Sequence, residues 1–223
     1  MNFSLLKGLA AALMLITLAT GCATRQPYDY TAFKQSNPKS VLILPPLNNS
    51  PEVKATYSML AQMSAPLAES GYYVFPVAVV DETFRQNGLM TAGDIHNVAP
   101  AKLREIFGAD AALYVDIKNY GVTYTVIASD VTVTAEARLI DLKTGQLLWD
   151  GKATASSSEQ RSSGGGGLAG ILVSAIVNQI TNTLTDRSHL YAGITSQRLL
   201  TARPNGMLYG PRSPMYGKDG VQQ

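Results

Sequence analysis

The chain is predicted to be an α/β protein: a single mixed β-sheet with an N-terminal parallel βαβ part and a C-terminal antiparallel hairpin, helices packed on the sheet, and C-terminal helices. Three observations predict it. Val41 to Leu44 is an unbroken apolar run closed by Pro45 and Pro46, as in a strand buried on both faces. Val53, Tyr57, Leu60, Met63 and Leu67 recur at helical spacing. Val131, Val133, Ala135, Ala137 and Leu139 alternate with Thr132, Thr134, Glu136 and Arg138, so one face of that strand is wet.

The N-terminus comes first in order. Lys7 precedes an apolar stretch, Leu9 to Ala19, too short for a permanent membrane helix and followed by small residues. Residues 1–21 therefore read as a signal peptide, ending at Cys22, the only cysteine. Ala19-Thr20-Gly21-Cys22 resembles the lipobox of bacterial lipoproteins, with Ala19 departing from the preferred Leu. The resemblance implies acylation of Cys22, and Ala23, which is not Asp, implies an outer-membrane address. Several acyl chains hold firmly, each buried CH₂ contributing about 0.8 kcal/mol.

Residues 22–38 carry Pro27 and Pro38 without a period and are predicted to be a lipidated tether, whose Tyr28, Tyr30 and Phe33 either dock on the domain or lie near the lipid. The domain is expected over 39–202. Ser50 and Pro51 suggest a helix start, and Pro66 a kink or a break near Met63. "YYVFPV" is a second short strand, parallel to the first. Two helices follow, one with Val79, Val80, Phe84 and Leu89 inward and one from Pro100 to Gly108 with Leu103, Ile106 and Phe107 inward. "AALYVDIKNYG" is a strand leading into the alternating one, and "DLKTGQ" turns the chain at Gly145. The return strand should place Leu147, Trp149, Ala153 and Ala155 on one side. Trp149, the single Trp, reads as a sheet anchor, with a binding role as the other reading.

Ser156 to Gly167 reads as a flexible loop. The helix after it has an apolar face widened by Val173 and Val177, so it is either deeply buried or an oligomer interface built on Leu168, Ile171, Leu172, Val173, Ile176 and Val177. Residues 203–223 are rich in Pro and Gly and are predicted to be a flexible tail, although the repeated Met-Leu-Tyr-Gly and Met-Tyr-Gly suggest a docking motif as an alternative.

Without residues 1–21, which hold only Lys7, the 18 bases become 17 against 16 acids, leaving no electrostatic case for nucleic acid. One cysteine forms no internal disulfide. His96 and His189 lack the partner spacing of a zinc helix, and a solvated or capping role is expected for His96. Gly164 to Gly167 lack the Lys of a phosphate loop, and Ser157 and Ser158 lack a nucleophile elbow. Asp116, Glu136 and Asp141 form no evident acid pair. No catalytic residue, metal or cofactor is expected. The expected activity is binding or assembly, with a possible ligand cleft at Pro45, Pro46, Asn48 and Asn49 beside Val77.

"SVLILPPLNNSPEVKATYSMLAQMSAPLAESGYYVFPVAVVDETFRQNGL", "GADAALYVDIKNYG" and "LIDLKTGQLLWDG" together resemble a family of bacterial lipoproteins without assigned activity that includes a surface lipoprotein of Neisseria. The resemblance spans about Lys39 to Leu200. It implies a fold similar to the amino-terminal domain of TolB and the periplasmic domain of CsgG. Because family members tend to be encoded beside a CsgG-like lipoprotein, it also implies a role in an envelope transport or secretion complex with protein partners, self-association included. The alternative is a periplasmic module that binds an envelope glycan or another small ligand.

Overall fold

The computed structural model describes residues 28–124, 129–159, 187–203 and 206–218. In order, these hold α1 (Thr31–Ser36), β1 (Ser40–Ile43), β2 (Leu47–Asn48), α2 (Ala55–Glu69), β3 (Tyr73–Val74) and α3 (Val77–Gln86). Then come α4 (Ala92–His96), α5 (Pro100–Phe107), β4 (Ala111–Tyr124), β5 (Ser129–Asp141), β6 (Leu147–Ser156) and α6 (Arg187–Leu200). Cys22 and the face from Leu168 to Val177 lie outside the described residues.

The sheet runs β3-β1-β4-β5-β6, with β2 continuing the β1 side along β4. β1 pairs parallel with β3 and β4, whereas β4, β5 and β6 are antiparallel, which is the mixed sheet the sequence predicts. Ile43 faces Leu113 and Leu47 faces Asp116, so four steps on one strand match three on the other. The extra residue falls at Pro45-Pro46, where two successive residues lack the N–H that a ladder needs.

Two cores occupy the two faces. Val41, Ile43, Leu113 and Val115 face the larger one, beneath α1, α2 and α6, while Leu42, Leu44 and Ala112 face the smaller one beneath α3, α4 and α5. This alternation explains the unbroken apolar run of β1. From β5 outward no described helix covers the second face, and the odd residues Val131 to Leu139 are buried under α6.

Several expectations are corrected. α2 starts at Ala55, not at Ser50, and leaves Val53 and Tyr57 exposed, because Asn48 ties Ser50 and Glu52 into a turn first. Pro66 causes no break, since it sits in the last turn of a helix that runs to Glu69. On α3 and α5, Val79 and Ile106 point to solvent, whereas Val80, Phe84 and Leu103 are buried and Leu89 and Phe107 pack against the smaller core, as expected. Leu147 is exposed on the face opposite Trp149. A bulge between Leu139 and Ile140 pairs Leu139 with Trp149 and Ile140 with Leu147, and this shift reverses the alternation.

The domain also begins and ends beyond the expected bounds. α1 buries Phe33, and Tyr28 and Tyr30 pack against the larger core, so the docking alternative holds for this segment. Asp141 fixes α1 to the β5–β6 turn: it accepts hydrogen bonds from the Ser36 hydroxyl, from the Lys143 and Thr144 amides at 2.8 and 2.7 Å, and from the Thr144 hydroxyl at 3.0 Å. Burial alone would raise its pKa, but these donors outweigh it and hold the carboxyl below the usual value. The stabilisation is therefore complete above the unfolded pKa of about 3.9 and is lost as pH falls through the lower folded value. Asp141→Ala should cost about 2–3 kcal/mol at neutral pH, the scale of hydrogen bonds to a charged group, and less below pH 3. Urea midpoints measured at both pH values check this.

The tail is corrected most. Met207 and Leu208 are buried in the larger core, and residues 206–213 lie against the end of α2. The Gly210 amide donates to the Ser70 carbonyl at 2.8 Å, the Arg212 amide to the Gly71 carbonyl at 3.1 Å, and the Tyr72 hydroxyl to the Leu208 carbonyl at 2.6 Å. The glycines that suggested disorder serve close packing instead: a Cβ on Gly210 would stand 2.5 Å from the Gly71 carbonyl oxygen. Likewise, the loop expected from Ser156 is fastened at its start, where Val131 and Ser157 exchange hydrogen bonds.

Candidate functional site

Among the described residues, the outer half of the second face and the adjoining β6 edge form a groove of about 1270 Å³. Strand register builds its floor in two rows. Tyr114 on β4 lies opposite Arg138 on β5, which lies opposite Asp150 on β6; the next row is Leu47, Asp116, Glu136 and Lys152. His96, at the end of α4, stands at the border where the helical cover stops, its ring edge-on to Tyr114 at 5.2 Å between centroids.

Most charges of the floor are committed to one another. Lys152 donates to Glu136 at 2.9 Å, and Lys118 bridges Glu136, at 3.5 Å, and Asp116. Asp116 also accepts from the Asn49 amide at 2.6 Å. The hydrogen bond from Lys152 comes first among the causes that hold the Glu136 carboxyl below its usual range, and the one to Asp116 comes first in raising the Lys118 pKa. Asp150 is bound through Tyr28, whose hydroxyl donates to its carboxylate at 2.8 Å and accepts its backbone N–H at 3.0 Å. Burial and then this bond push the Tyr28 phenol up to about 12. Arg138 makes no hydrogen bond or ion pair among the described residues.

His96 is not a solvated loop residue: it ends α4 and is held by a backbone carbonyl. His96 Nε2 lies 2.9 Å from the Pro45 carbonyl and must carry the proton it donates; burial, the leading cause, lowers its pKa, leaving Nδ1 with a lone pair at neutral pH. His189 joins α6 to α2, with Nδ1 at 2.7 Å from Ser58 Oγ and Nε2 at 2.7 Å from Gln62 Nε2. With the Gln62 amide donating, the His189 proton sits on Nδ1 and points at Ser58, which already accepts from Tyr120. That tautomer cannot deprotonate the serine. Among the described residues, no group of three or more His, Cys, Asp or Glu could hold a metal ion.

Of the four residues expected to form a cleft, Asn49 alone has its side chain on a groove residue. The Pro45 and Pro46 carbonyls accept from His96 and Thr56, and Asn48 is spent on its turn. Arg138 and Tyr114 were not singled out together. The alternation marked Arg138 as wet, but only the register across three strands sets it beside Tyr114.

The β6 edge is closed at both ends. Besides Tyr28, Arg198 donates to the Thr154 carbonyl at 2.6 Å and forms a two-point ion pair with Glu159, which accepts the Ser156 amide at 2.9 Å. Such capping guards an edge against stray pairing.

Residues 28–212 match the model of the family described as "Putative lipoprotein GNA1162-like". The chain belongs to this family. It is 49% identical over 211 residues to a Neisseria meningitidis serogroup B protein named "Putative lipoprotein NMB1124/NMB1162", covering 93% of this chain and 95% of that one. The crystal structure of lipoprotein GNA1162 from Neisseria meningitidis superposes with a TM-score of 0.53 at 50% identity, over 66% of this chain and 100% of that one. A PelC dodecamer from Paraburkholderia phytofirmans overlaps more loosely, with a TM-score of 0.46 and 13% identity, over 82% of this chain and 96% of that one. The family so shown is that of the resemblance read from the sequence. Neither its description nor the relative's name carries an activity.

Proposed function

We propose that the chain is a non-enzymatic lipoprotein, held by acylated Cys22 in the outer membrane, that acts as an accessory or assembly component of an envelope transport or secretion complex. The observation that carries this reading is membership of a lipoprotein family combined with the single cysteine directly after a signal-like segment. The fold supports it: the charges of the groove floor are largely neutralised within the face, and both ends of the β6 edge are closed. Its partners would be envelope proteins, a CsgG-like lipoprotein foremost, and further copies of the chain through Leu168 to Val177.

Crosslinking in native envelopes, followed by a mild-detergent pull-down and mass spectrometry, tests the partner. Recovery of a second lipoprotein in stable ratio supports the reading; recovery of the chain alone sinks it. Cys22→Ser should move the protein from the membrane to the soluble fraction almost completely. Equal partitioning of mutant and wild type would remove the anchor from the proposal.

A further inference from the structure

Arg138 stands out on its face because the groups that could neutralise it are turned elsewhere. Asp150, directly across the strand, is taken by Tyr28, and Glu136, two residues earlier on the same face, is taken by Lys152 and Lys118. Across the other strand, Tyr114 has its ring buried between His96 and the smaller core, while its hydroxyl makes no hydrogen bond among the described residues. A guanidinium and a phenol O–H, cross-strand neighbours on one floor, are both donors without an acceptor among the described residues. Leu47 and exposed Leu147 supply apolar walls to the same groove. From these we infer that the floor beside His96 is an oxyanion site, where Arg138 and the Tyr114 hydroxyl together bind a phosphate or carboxylate group.

Arginine suits this role because its fork offers two parallel N–H donors to such a group, and it stays charged at every relevant pH. Asp116 and Glu136 repel the ligand less than free acids would, since they are paired with lysines, while the Asp150 carboxylate keeps its charge and is held by the Tyr28 hydroxyl. Two sources of the oxyanion fit. One is a soluble anion. The other is a lipid headgroup, because Tyr28 lines the groove and is six residues from Cys22, a span of at most about 20 Å. The site does not depend on the assembly reading, and its test involves no partner.

The full acylated protein, labelled at its two histidines, gives the readout, with His96→Gln used to assign the rings. In detergent micelles, inorganic phosphate should shift the His96 resonances saturably and raise its titration midpoint, while chloride at matched ionic strength should not. In nanodiscs, phosphatidylcholine alone is compared with phosphatidylcholine containing phosphatidylglycerol. A response to phosphate only assigns a soluble ligand; a response to the anionic lipid assigns a headgroup. In either case Arg138→Gln should weaken binding tenfold or more and Tyr114→Phe severalfold, with His189 unmoved. Neither variant removes a hydrogen bond made among the described residues, so both are expected to fold, as circular dichroism checks. No response to either probe, or equal responses in wild type and Arg138→Gln, overturns the assignment.

Discussion

Trp149→Ala is expected to be among the most damaging single changes in the domain, lowering stability by about 3–5 kcal/mol, the usual cost of emptying a large buried aromatic site. The indole is 2% exposed, and it belongs to the larger core at the place where the β6 bulge alters the register. Its neighbour Gly151 is shaped around it: a Cβ there would lie 2.3 Å from Trp149 Cζ2. A ring packed on both sides cannot retreat, so Gly151→Ala alone should cost about 1–3 kcal/mol through overpacking. Combining the two substitutions should remove most of that second penalty, because the atom it strikes is gone. Urea denaturation followed by circular dichroism measures all three, since the only Trp fluorophore is lost with the mutation. Strict additivity would show that Gly151 is needed for some other reason.

Gly210→Val should unfasten the C-terminal segment. The new side chain would collide with backbone atoms of Gly71 and Tyr72, which have nowhere to go. With the segment released, Met207 and Leu208 would leave the core, a loss of about 1.5–3 kcal/mol each before compensation by the freed chain. Trypsin should then cut after Arg212 far faster than in the wild type, and the melting temperature should fall. Gly93→Ala makes a fair control, because a Cβ there meets only Thr91 Oγ1 at an ordinary 3.6 Å. Equal proteolysis of Gly210→Val and wild type would contradict the fastening.

These two sites also show what the sequence conveys and what it hides. Strands announce themselves where one face is wet or both are dry: the alternation of Val131 to Leu139 and the run Val41 to Leu44 were both legible, as was the turn at Gly145, whose φ is +75°. Short elements held only by tertiary contacts were not. β2 has two residues, and α1 and α4 have six and five, too few to show a period. Pro and Gly near the C-terminus look alike whether they loosen a chain or let two backbones touch, and Gly71 and Gly210 do the latter. Leu147 was misplaced because a bulge adds one residue without marking the sequence. Arg138 was legible as a wet residue and no more; its relation to Tyr114 and Asp150 exists only once three strands are aligned.

The docking of Tyr28 changes how the domain meets other molecules. With Cys22 acylated as proposed, the folded body is moored within about 20 Å of the bilayer and cannot roam the compartment. Two chains moored on one leaflet would search a thin slab, which raises the concentration each sees of the other without any new contact. Associations too weak to register in dilute solution can then become populated on the membrane. The oligomer that matters for this protein is therefore the one measured on a lipid surface.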